Sequence, residues 1–125
     1  MSSQFALVIE DDKDVAIMFA EALRMAGCET EIIRAGDAAL ARLAATVPDV
    51  VVLDLHLPRV EGIDILRQIR ADARLAETRV IVVTGDPPAA EGLQDLADLV
   101  LIKPVGLDQL SDLATRLISA GSPGT

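Results

Sequence analysis

A chain of 125 residues with a net charge of −9 has no basic stripe able to neutralise a phosphate backbone, which argues against direct nucleic-acid binding. Its apolar half is almost wholly Ala, Leu, Val and Ile, with Phe5 and Phe19 the only aromatics, so one domain with one aliphatic core is expected. Cys28 is alone, which excludes an internal disulfide, and no long apolar stretch follows a basic region, so the expected location is cytoplasmic, without a signal peptide or membrane insertion.

Phe5 to Ile9 reads as a first strand, running into the acids Glu10, Asp11 and Asp12. Val15, Met18, Phe19, Ala22, Leu23 and Ala26 then recur at helical spacing, with Gly27 as a stop. Glu29 to Arg34 alternates weakly as a strand, and Asp37 to Ala45 is an Ala- and Leu-rich helix ending before Val47-Pro48. Asp49 to Leu53 is the most apolar strand and is expected at the centre. Pro58 and Gly62 punctuate the next loop, and Ile63, Leu66, Ile69 and Arg70 carry a third helix. Arg79 to Thr84 is a fourth strand. Because Pro87-Pro88 can open a helix but not continue one, Ala89 to Leu96 holds at most a short helix. Leu99 to Ile102 is a fifth strand, and Leu107, Leu110, Leu113, Leu117 and Ile118 line the last helix. Residues 1–120 form the domain, and Gly121 to Thr125 read as a flexible tail or the stub of a linker.

Strands alternating with helices predict an α/β, doubly wound parallel sheet in the flavodoxin-like order 2-1-3-4-5. Its switch point lies between the first and third strands, so Asp11 and Asp54 are expected to face each other there. A polar residue follows directly on each of four apolar runs: the early acids, Asp54, Thr84 and Lys103. Singly, each has a simple structural explanation as a helix cap, a strand end or a turn. Jointly they make a site: carboxylates suited to Mg²⁺, an ammonium to offset their repulsion, and a hydroxyl with the Gly85 N–H to donate to phosphoryl oxygens. Lys103 is one of only two lysines.

These motifs, over Phe5 to about Ser119, resemble the receiver domain of two-component response regulators, whose five-stranded fold is that of CheY-like proteins. The resemblance implies that Glu10 and Asp11 hold Mg²⁺ with Asp54 and the His56 carbonyl. It further implies that Asp54 accepts a phosphoryl group from a histidine kinase or phosphotransfer protein, and that Thr84, Gly85 and Lys103 contact that group. It makes Lys103-Pro104 a candidate cis peptide, and gives a signalling module that catalyses only its own phosphorylation and dephosphorylation.

Two departures stand out. Val100 occupies the position where the family usually carries an aromatic that turns inward on activation, and Thr84 and Lys103 are about three residues closer than is common, nearly one helical turn. The fourth helix should therefore be short, displaced or absent, and output is expected through a remodelled segment, Gly85 to Ala97. His56, the only histidine, and Asp86 are candidates to tune hydrolysis of the aspartyl phosphate. Two other functions fit less well: a degenerate receiver that only docks partners, which Val100 favours, and a Mg²⁺-dependent phosphohydrolase, which would need a second acid where His56 stands.

Overall fold

The computed structural model describes residues 4–120; the expected tail, 121–125, lies outside them. Strands β1 (Gln4–Ile9), β2 (Cys28–Ile33), β3 (Val50–Asp54), β4 (Arg79–Thr84) and β5 (Leu99–Ile102) form one parallel sheet in the order β2-β1-β3-β4-β5. Between and after them lie α1 (Lys13–Met25), α2 (Gly36–Ala45), α3 (Gly62–Ala71), α4 (Pro87–Ala90) and α5 (Leu107–Ala120). The doubly wound CheY-like architecture is thus the one the sequence predicts. At the switch point Ile9 pairs with Leu53, so the following residues, Glu10 and Asp54, stand side by side at the carboxyl edge of the sheet.

The strand pleat divides the core between two faces. Leu7, Ile9, Val51 and Leu53 pack with Leu43 of α2 and with Ile65, Leu66 and Ile69 of α3. Ala6, Val8, Val50 and Val52 pack with Phe19 and Leu23 of α1 and with Leu110 and Ala114 of α5. Because both faces are covered, β3 is buried along its whole length, the physical reason for its uninterrupted aliphatic run. Cys28 is a buried thiol at the start of β2, and burial pushes its pKa up to about 11.

The Asp12 carboxylate caps α1 by accepting the Val15 N–H at 3.0 Å, and Gly27 ends that turn with φ +96°. A 3₁₀ turn at Ala73–Leu75 is additional to the expected elements, capped by the Asp72 carboxylate, which accepts the Arg74 N–H at 2.9 Å.

The largest difference from the expected pattern is at the β5 edge. Its aliphatic run predicts full burial, yet its residues are only half covered and Ile102 is 43% exposed. Helix α4 is only four residues long, with both prolines in its first turn, too short to cover the strand. The far end of the segment is held instead by Arg70. Its guanidinium donates to the carbonyls of Leu96 (2.6 Å) and Thr78 (2.9 Å) and to the Asp98 carboxylate (3.0 Å). Asp98 also accepts the Val80 N–H at 2.8 Å, so one ion pair joins α3, β4 and the entry to β5.

Candidate functional site

Three strand ends converge at the switch point. Glu10 and Asp54 are nearly fully buried, Asp11 is exposed, and one carboxylate oxygen of each lies within 4.8 Å of the others. The ladder places Glu10, whose N–H donates to the Ile33 carbonyl at 3.1 Å. Its Oε2 accepts the Asp12 N–H at 3.2 Å and its Oε1 accepts Lys103 Nζ at 2.8 Å. Lys103 comes from the end of β5, where its own N–H donates to the Thr84 carbonyl at 2.8 Å. The Lys103-Pro104 bond is cis, as expected.

The Lys103 ammonium lies 3.8 Å from Asp54 Oδ1, so it leans toward Glu10 while remaining within reach of both acids. Burial pushes the Glu10 carboxyl up to about 7; the Lys103 and Asp12 hydrogen bonds pull it down, and the Asp54 charge adds to the rise. For Lys103, burial alone would lower the pKa, but the hydrogen bond to Glu10 and the charges of Asp54, Glu10 and Asp11 outweigh it, and the net shift is upward. Three hard oxygen donors beside a partly buried cation suit a divalent hard cation, whose charge would relieve the repulsion between the acids.

Asp54 Oδ1 accepts the His56 N–H at 3.2 Å. Helix α3 begins directly against this loop, with the Gly62 N–H donating to the Leu55 carbonyl at 3.0 Å. A Cβ at residue 62 would overlap the Asp54 carbonyl oxygen and stand 2.5 Å from Leu55 Cα, so only glycine permits the approach. Gly36, at the start of α2, has the same constraint, since a Cβ there would stand 2.6 Å from Val60 Cβ. The Arg59–Asp37 ion pair (3.0 Å) bridges the same two segments.

Thr84 is fully buried at the end of β4, its Oγ1 accepting the Asp86 N–H at 3.1 Å. Gly85 is exposed, with open space where a Cβ would be, so its value to a site lies in its N–H rather than in close packing. His56 Nε2 and Asp86 Oδ2 are 3.8 Å apart, joining the loops after β3 and β4 beside Asp54 and Thr84. Val100 is half-buried against the α3 side of the core and offers no ring to move.

Every expected site residue therefore belongs to one sheet edge. Arg34, which nothing in the sequence marks out, joins this edge: its guanidinium donates to the Asp11 carbonyl through Nε at 3.1 Å and Nη2 at 2.9 Å.

Comparison with known proteins decides the family: its model, the response regulator receiver domain, matches residues 6–115. The chain belongs to this family. The DNA-binding response regulator MtrA of Mycobacterium tuberculosis (strain ATCC 25618 / H37Rv) is 37% identical over 101 residues, covering 81% of this chain and 44% of MtrA. The chain thus spans less than half the length of that relative. A CheY-like receiver domain from Methylobacillus flagellatus superposes with a TM-score of 0.82 at 29% identity, covering 94% of this chain and 99% of that one. The BeF3-activated receiver domain of DrrB gives 0.83 at 26% identity, covering 94% and 99%.

As a receiver domain the protein is a module of two-component signalling, a type that is typically non-enzymatic and interacts with histidine kinases. Glu10, Asp11 and Asp54 form its acidic pocket for phosphorylation. No described helix is long and apolar enough to cross a membrane.

Proposed function

We propose that the protein is a phosphorylatable switch in which Asp54 accepts a phosphoryl group from a phosphohistidine of a histidine kinase or phosphotransfer protein. The observation that carries this reading is the meeting of Glu10, Asp11 and Asp54 beside the Lys103 ammonium. An Asp54 carboxylate oxygen attacks phosphorus in line; the O–P bond forms as the N–P bond breaks, and the histidine nitrogen leaves with the electron pair. Lys103 neutralises developing charge on a phosphoryl oxygen, while the Thr84 hydroxyl and the Gly85 N–H donate to the others. Glu10, Asp11, Asp54 and the His56 carbonyl would hold Mg²⁺, which would supply further neutralisation of that charge. The module catalyses its own phosphorylation and dephosphorylation and turns over no separate substrate.

The test is intact mass after incubation with Mg²⁺ and a small phosphodonor such as acetyl phosphate, and then with phosphorylated histidine donors. One phosphoryl increment is expected, absent in Asp54→Asn and after chelation. If neither class of donor adds an increment, the docking-module reading replaces this one; steady release of phosphate over many turnovers would favour a hydrolase. The decay of the increment tests whether His56 and Asp86, 3.8 Å apart, admit or exclude the attacking water. His56→Ala should change the decay rate by about fivefold, well below the roughly 10²–10⁴-fold of a general acid or base, since the side chain would only gate water, and an unchanged rate removes the pair from the mechanism.

Output is proposed to run through residues 85–97, because Val100 has no aromatic rotamer to transmit and α4 is four residues long. Backbone amide shifts recorded with and without a beryllofluoride phosphoryl mimic should move throughout that segment. Movement confined to the loops bearing Asp11 and Asp54 would exclude it as the output route.

A further inference from the structure

Two successive residues at the end of β2 hold two successive acids. The Ile33 carbonyl accepts the Glu10 N–H at 3.1 Å, an ordinary continuation of the sheet ladder. Arg34 then holds the Asp11 carbonyl, and it does so with a side chain, through the two N–H groups on one edge of its guanidinium.

The choice of acceptor is informative. The chain carries 20 acidic residues, yet among the described residues no carboxylate pairs with Arg34 within 4.0 Å. In particular the Arg34 fork takes the main-chain oxygen of Asp11 and leaves that residue's carboxylate among those of Glu10 and Asp54. Asp11 is the exposed member of the three and lies between the end of β1 and the Asp12 cap of α1, so its side chain has no burial to fix it.

We propose that Arg34 is a positioning residue for the metal-binding acids, holding the loop after β1 so that the Asp11 carboxylate faces Glu10 and Asp54. The inference rests on the Mg²⁺ site proposed above. A planar fork fixes the carbonyl in direction as well as distance, which a lysine ammonium, a single point of charge, cannot do. The charge of Arg34 works in the opposite sense, because a cation beside the site repels a divalent ion. The two contributions therefore predict opposite results on substitution.

Mg²⁺ binding to wild type, Arg34→Ala and Arg34→Lys, followed by calorimetry and by amide chemical shifts, separates them, with melting of each variant in chelator as a control on the fold. Both variants should bind Mg²⁺ about tenfold more weakly, the scale seen when a group that orients a metal ligand is lost. Their melting temperatures in chelator should stay near that of wild type, since the side chain is exposed. Wild-type or tighter affinity in Arg34→Ala, or full rescue by Arg34→Lys, would overturn the proposal by showing that the fork does not orient the site. Failure of the wild type itself to bind Mg²⁺ would overturn the metal site instead.

Discussion

Replacing Lys103 with alanine should destabilise the metal-free protein by about 2–3 kcal/mol at pH 8 and by less than half as much at pH 5.5. Removing one partner of a buried ion pair costs about 3–5 kcal/mol because the other charge is stranded, and Lys103, with 27% of its side chain exposed, belongs at or below the low end of that range. The pH dependence follows from Glu10. Its folded pKa is raised from 4.5 to about 7, so its contribution to stability is complete below about 4.5 and is lost as pH rises through about 7. At pH 5.5 Glu10 is mostly protonated and has little need of the ammonium. At pH 8 it is ionised and nearly fully buried, and Lys103 is the only cationic group within 4.0 Å among the described residues. Denaturant unfolding in chelator at the two pH values measures the difference. An equal loss at both would mean that the lysine stem, rather than its charge, supports the site.

Gly62→Val should be the most damaging single change near the acceptor, lowering the melting temperature by about 10 °C or more. A Cβ alone overlaps the Asp54 carbonyl oxygen and reaches to 2.5 Å from Leu55 Cα, and neither is a flexible side-chain tip that can swing aside. Either α3 lifts from the loop or the loop shifts, and overpacking of this kind costs about 1–3 kcal/mol or more, each kcal/mol lowering the melting temperature by about 3–5 °C at this chain length. Thermal unfolding monitored by far-ultraviolet circular dichroism suits a chain without tryptophan or tyrosine. A loss of only a degree or two would show that α3 is loosely seated, and Asp54 would then not depend on that contact for its position.

The strands were legible because a parallel strand buried on both faces must be aliphatic at successive positions, as Val50 to Leu53 are. The site was legible for a related reason: Glu10, Asp54, Thr84 and Lys103 each end or follow such a run, and the topology carries those ends to one edge. The arginines were not. Arg34, Arg70 and Arg74 look like ordinary polar positions, yet their guanidinium groups reach the carbonyls of Asp11, of Leu96 and Thr78, and of Leu43. Every residue has a main-chain carbonyl, so such a target leaves no mark in a sequence. The close approach of Gly36 to Val60 escaped notice for the same reason, since nothing in either residue names the other. The exposure of β5 depends on how far its covering segment reaches, which the prolines at 87 and 88 only partly reveal.

The complete burial of β3 has a consequence for how this domain can change shape. A strand paired on both sides and covered on both faces opens only with the whole fold, so the amides of Val50 to Leu53 belong to the slowest-exchanging class. Asp54 is therefore carried on an immobile stage. Excursions of low free energy are left to the exposed positions of the span from Gly85 to Ala97, which is seated in the core by Ala90, Leu93 and Ala97 and tied to Thr84 at one end and to Arg70 near the other. Seen as an exchange map, the molecule is a slow centre beside a faster segment, and the output route proposed for residues 85–97 would read a change of charge at the one as a change of exchange in the other.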